Sequence, residues 1–145
     1  MTTIHRHALT PYSAQQMFAL VDDIEAYPEF LQWCQSAIVR ERGRDEVTAS
    51  LVLRKGSIHK EFTTHNRLMP AKMIEMKLVE GPFHHLEGFW SFEPLRENAC
   101  KISFDLDFEF KSRMVGLITA PLFSQVANSL VDVFCNRADK IYGKE

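Results

Sequence analysis

Cysteine is scarce in this chain and carries no pattern. Cys34, Cys100 and Cys135 are odd in number and none are spaced as Cys-x-x-Cys, which argues against a disulfide framework and against a structural zinc site. Charge of one sign is also lacking: 17 Lys and Arg face 19 Asp and Glu, for a net charge of −2, so the broad positive field of a nonspecific nucleic-acid binder is missing. The densest basic stretch, Arg40, Arg42 and Arg44, alternates with Glu41, Asp45 and Glu46 and reads as a solvated hairpin turn centred on Gly43. No glycine-rich phosphate loop and no Ser-His-Asp or Cys-His arrangement can be read. The apolar windows are expected to be broken by charges short of the roughly 20 residues of a membrane span. Residues 1–10 lack an apolar signal core. A cytoplasmic protein without a transmembrane segment is the expectation.

Histidine supplies no convergent site either. His5 and His7 share one face of a strand, which is two-ligand spacing, but a metal needs further ligands that the sequence does not place. His59 and His65 fall on the outer parity of their strand, and the adjacent His84 and His85 point to opposite faces. Asp105, Asp107 and Glu109 share a polar parity that faces solvent. Acid–base chemistry needs such a group inside a pocket, so no catalytic residue, metal or required cofactor is assigned.

What the chain does have is enough apolar content, 46% of 145 residues, for one sizeable core spanning residues 1–145. The period of its pattern changes several times. A strand over 3–9 precedes a helix capped by Ser13, with Gln16 completing a capping box and the Asp22-Asp23 pair ending it. Strands follow at about 35–42, 46–54, 57–68, 73–79 and 84–93. From Cys100 to Lys111 one face is wholly apolar (Ile102, Phe104, Leu106, Phe108, Phe110) and the other wholly polar. A helical stripe through Leu122, Val126, Leu130, Val133, Phe134, Ala138 and Ile141 can cover the apolar face. Thr119 is the expected cap, with Pro121 in the first turn; Met114 to Ile118 is expected as a separate short helix or gate.

The most informative run is Val21-Asp22-Asp23-Ile24-Glu25-Ala26-Tyr27-Pro28-Glu29-Phe30-Leu31-Gln32-Trp33-Cys34, with three aromatics and a proline and no nucleophile spacing. Pro28 belongs in a first turn, so a second short helix carrying Phe30 and Leu31 is expected. Together with Gly81-Pro82-Phe83, Leu86, Gly88, Trp90, Phe92 and Pro94 downstream, this run resembles the signature of the small bacterial RatA proteins and their coenzyme Q-binding mitochondrial relatives, START-like proteins. The match in order and spacing extends over nearly the whole chain.

The resemblance implies an α+β helix-grip fold: a curved antiparallel sheet of six or seven strands around a long C-terminal helix, with two short helices near the N-terminus. Such a sheet leaves a tunnel that side chains do not fill. Parity then offers the lining: Phe62, Ile74, Met76, Leu86, Trp90, Phe92, Phe104, Leu106 and Phe108 from the strands, with Val126, Leu130 and Phe134 from the helix. All are equally good core residues. The matched motifs place Tyr27, Phe30, Leu31 and Trp33 at the mouth, and Lys60, Thr64 and Asn66 share the parity of Phe62 and could offer polar contacts. Gly88 interrupts a strand, which a bulge or the close approach of another group would explain.

Three functions follow from the resemblance. The first is a carrier or chaperone for an isoprenoid quinone such as ubiquinone, supporting respiration through transient inner-membrane contact. The second is a ribosome-directed regulator acting on the large ribosomal subunit. The third is a cyclase- or dehydratase-like enzyme, as in other helix-grip proteins.

Overall fold

Ser13 sets where the first helix begins. Its hydroxyl accepts from the Gln16 backbone N–H at 3.1 Å while the Gln16 side chain accepts from the Ser13 N–H at 2.9 Å, so two end donors are satisfied at once. The computed structural model describes residues 1–143, so Lys144 and Glu145 of the expected 1–145 domain lie outside the described residues. Helix α1, Ala14–Asp22, buries Ala14, Met17, Phe18 and Val21. A short 3-10 helix, Ile24–Glu29, follows, with Pro28 near its end.

That placement corrects the expected second helix, which was to start at Pro28 and carry Phe30 and Leu31. The tight helix starts earlier and runs out after two turns, as 3-10 geometry does. Phe30 and Leu31 both donate backbone N–H groups to the Tyr27 carbonyl, at 3.1 and 2.8 Å, which closes the segment. The Tyr27 hydroxyl donates back to the Val21 carbonyl and ties the segment to α1.

Seven antiparallel strands form one sheet in the order β1-β7-β6-β5-β4-β3-β2. They are β1 (Thr2–Thr10), β2 (Cys34–Gly43), β3 (Glu46–Lys55), β4 (Ile58–Met69), β5 (Met73–Glu80), β6 (Phe83–Arg96) and β7 (Ala99–Phe110). The alternation expected on β7 is there: Cys100, Ile102, Phe104, Leu106, Phe108 and Phe110 are all buried. The β2–β3 turn is centred one to two residues later than expected; Gly43 ends β2, and Asp45 adopts the left-handed φ of 60°. A register shift between Phe83 and His85 puts Phe83 and Leu86 both inside, with His84 exposed. Gly81 has no alternative, since a Cβ there would lie 2.7 Å from the Phe62 Cβ.

The cover is α2, Arg113–Tyr142. It is one helix, not two segments, and this corrects the expected break at Thr119. Ser112 supplies the cap instead, accepting from the Val115 N–H at 3.2 Å, and Thr119 is buried at 2% exposure. Pro121 sits inside the helix on its exposed side. The buried stripe is also rotated: Phe123, Ala127 and Val131 join Val126, Phe134 and Ala138, whereas Leu122, Leu130 and Val133 are half-buried and Ile141 is exposed. A row of purely four-residue steps walks off a contact face by about 40° per step, so three- and four-residue steps must mix.

One further expectation is corrected here. Met114 to Val131 contains no charged residue, and α2 is long and apolar enough, by length and composition, to cross a membrane. In this fold its inner face is laid on the sheet.

Candidate functional site: an apolar cavity and the groove above it

Between α2 and the inner face of the sheet lies an apolar cavity of about 70 Å³. The sheet contributes Leu51, Phe62, Met76, Leu86, Trp90, Phe104 and Leu106. The helix contributes Phe123, Val126, Ala127, Leu130 and Phe134, and Tyr27, Leu31 and Trp33 close one end. Aromatic edges fix the walls: Trp90 stacks on Phe104 at 4.3 Å between centroids, and the Phe134 ring lies edge-on to Trp90, Tyr27 and Phe30 at 5.3, 5.5 and 5.4 Å.

Three residues with inward parity are not part of this wall. Ile74 is fully buried opposite Trp90 on the neighbouring strand. Phe92 meets Phe18 of α1 edge-on at 5.6 Å. Phe108 belongs to a cluster with Phe83, Phe110 and Phe123 near the start of α2. The polar candidates also lie elsewhere. Asn66 is buried and accepts from the Thr64 hydroxyl at 3.0 Å, neither of them lining the cavity or the groove, and half-buried Lys60 likewise lines neither. Leu51, Phe123 and Ala127 had not been expected in the wall. Leu51 shares the parity of Ala49 and Leu53 on β3, which was a readable signal; Phe123 and Ala127 needed the true rotation of α2.

Outside the Tyr27–Trp33 segment, which plugs this end of the cavity, lies a groove of about 650 Å³, lined by Phe30, Leu31, Gln32, Trp33, Arg54, Lys55, Gln125, Val126, Ser129 and Val133. Leu31, Trp33 and Val126 belong to both spaces. The indole Nε1 of Trp33 is buried and has no hydrogen-bond partner among the described residues, an uncommon state for a buried donor. Phe30 faces the groove and carries the Arg137 guanidinium over its ring at 4.7 Å.

Among the described residues no His, Asp or Glu lines the cavity. His65 is held by the Thr48 hydroxyl at 2.9 Å and by Glu46 at 3.4 Å, and His5 pairs with Asp105 at the surface. Among the described residues no group of three His, Cys, Asp or Glu could hold a metal ion. Burial raises the Tyr27 hydroxyl well above its ordinary range, so it stays a neutral donor.

Burial also pushes the Cys34 and Cys100 thiols up to about 11. Since the thiolate is the reacting species, both should react with an aromatic disulfide reagent at pH 8 about a hundredfold more slowly in the native protein than in denaturant. Stopped-flow absorbance under the two conditions checks this; equal rates would mean the thiols are not shielded.

Comparison with known proteins fits this architecture. Residues 10–135 match the family model for polyketide cyclase / dehydrase and lipid transport proteins. The ribosome association toxin RatA of Pseudomonas aeruginosa is 47% identical, with 98% of this chain and 99% of that protein covered. The mitochondrial coenzyme Q-binding protein of Drosophila melanogaster is 29% identical, with 94% of this chain and 55% of that protein covered. A START superfamily protein from Mycobacterium smegmatis superposes with a TM-score of 0.80 at 22% identity, covering 96% and 98% of the two chains. The match over residues 10–135 and the full-length similarity place the chain in the polyketide cyclase / dehydrase and lipid transport family, alongside the RatA proteins, with its seven-stranded grip on one long helix as the START-like fold.

Proposed function

We propose that the chain binds an isoprenoid quinone, ubiquinone being the candidate, as a carrier or chaperone rather than as a catalyst. The observation that carries this reading is Trp33, a residue that lines both the apolar cavity and the groove and whose buried indole N–H has no partner among the described residues. A quinone carbonyl is the kind of acceptor such a donor lacks. Volume sets the orientation. The cavity, about 70 Å³, is less than half of the roughly 150 Å³ that accepts a benzene ring. The quinone ring therefore sits in the groove and the tail enters past Leu31 and Val126, with the Tyr27–Trp33 segment yielding for longer tails. Each methylene that reaches the cavity contributes roughly 0.8 kcal/mol. The coenzyme Q-binding relative supports the ligand class; a cytoplasmic location, a role in respiration and transient contact with the inner membrane belong to the same reading.

The test is indole fluorescence. A short-tailed ubiquinone analogue should quench emission saturably, mostly through Trp33, which lines the groove, so Trp90→Phe in the cavity wall should leave most of the quenching and the affinity in a competition assay in place. Trp33→Phe should weaken binding about two- to tenfold, the worth of one neutral hydrogen bond. Quenching that rises linearly without saturating is collisional and would sink the proposal.

A second reading, association with the large ribosomal subunit, is favoured by the full-length 47% identity to a protein named for ribosome association. The basic cluster is a poor candidate for the contact: Arg40 pairs with Glu61 at 3.5 Å and Arg42 with Asp22 at 3.2 Å. Co-sedimentation of lipid-free protein with purified subunits in a sucrose gradient tests it, and protein left at the top of the gradient would count against it.

A further inference from the structure

From the first turns of α2 we infer that this end of the helix is a docking surface for an anionic lipid membrane. Met114, Leu117 and Ile118 are 76%, 75% and 67% exposed, three large apolar side chains on adjacent turns with nothing among the described residues laid over them. They open the uncharged stretch that runs to Val131. A contiguous exposed apolar patch with a polar rim is the mark of an interaction surface.

Charge on the rim decides the partner. Lys111 and Arg113 immediately precede the patch, and Arg54 and Lys55 line the groove farther along. All four are exposed, and among the described residues none is in an ion pair. Glu109 is the one acidic residue in the hollow beside the patch. Apolar side chains set among cations are the composition of an interfacial helix that inserts into the boundary of an anionic bilayer.

Helix geometry ties this patch to the groove. Ile118 and Gln125 are seven residues apart, so they share one side of α2 about 10 Å from each other, and Gln125 lines the groove. A membrane under Leu117 and Ile118 therefore lies beside the groove mouth, with Arg54 and Lys55 at headgroup level. The docking is read without reference to any ligand; only what would then cross, a quinone tail, rests on the function proposed above.

Flotation of the quinone-free full chain with vesicles separates the two. The protein should float with vesicles containing 30 mole per cent phosphatidylglycerol about tenfold or more better than with pure phosphatidylcholine, cations near an anionic surface having this order of effect. Leu117→Asp with Ile118→Asp should abolish flotation while leaving the thermal unfolding midpoint in place, because neither side chain is buried. Lys111→Gln with Arg113→Gln should cost about thirtyfold on the anionic vesicles and little on the neutral ones. Wild-type protein that ignores both vesicle types, Asp variants that float undiminished, or a wild-type dimer in sedimentation equilibrium that the Asp variants split would each overturn the inference. Quinone quenching measured in detergent-free buffer reports on the groove alone, so loss of one function does not mimic loss of the other.

Discussion

Phe134→Ala should lower the unfolding free energy by about 3–5 kcal/mol, the usual cost of truncating a buried aromatic. Phe134 is 1% exposed and touches Tyr27, Phe30 and Trp90 edge-on. It joins α2, the plug and the central strands, so the hole it leaves cannot be closed by moving one element. Stabilities of small domains are about 5–15 kcal/mol, so the loss is a large fraction of the total. Urea denaturation followed by far-ultraviolet circular dichroism gives the number. A cost below about 1 kcal/mol would show that the three elements are not clamped together here.

Leu106→Glu carries the largest expected effect on binding. Leu106 is 3% exposed and lines the cavity, whose walls offer a carboxylate no cation. An unpaired buried charge costs about 3–5 kcal/mol, and burial raises the new carboxyl's pKa above its unfolded value. The sign follows. Between the unfolded and the raised folded pKa the native state holds the extra proton, so stability falls as pH rises and returns as pH drops toward the ordinary glutamate range. At pH 5 the variant should stay folded and fail to quench with the quinone analogue; at pH 8 its unfolding midpoint should be clearly lower. Unchanged quinone affinity in a variant shown to be folded would remove Leu106 from the binding site.

Much of this molecule can be read from local pattern. The strict alternation from Cys100 to Phe110 gave β7, and Ser13 with Gln16 gave the start of α1, because both signals are decided by neighbours within a few residues. The failures occur where two local signals compete. Ser112 and Thr119 are both good caps, and Pro121 is compatible with a first turn or with an exposed site inside a helix; packing of Thr119 and Phe123 against the sheet decided for one long helix. The site was harder still. Parity says that Ile74, Phe92 and Phe108 point inward, yet which inward side chains border the cavity depends on where α1, α2 and the plug press against the sheet. No stretch of sequence encodes that three-body placement. Trp33 was placed at the mouth through the family motif, while the missing partner of its indole is visible only in three dimensions.

The sheet order has a consequence for synthesis. Strand β1 pairs with β7, Thr2 opposite Phe108 and Thr10 opposite Cys100, whereas β2 through β7 each pair with the strand just before or after them. A chain made at roughly 5–20 residues per second emerges with its first strand ready several seconds before its partner exists. During that wait the meander can zip hairpin by hairpin, but β1 and α1 cannot seat. His5, Arg6 and His7 sit in the middle of β1, where polar and charged side chains discourage pairing with a stranger's edge. Closure of the whole domain therefore waits for β7 and for α2 behind it, and a nascent chain stalled before β7 holds an open sheet with its apolar cavity unroofed.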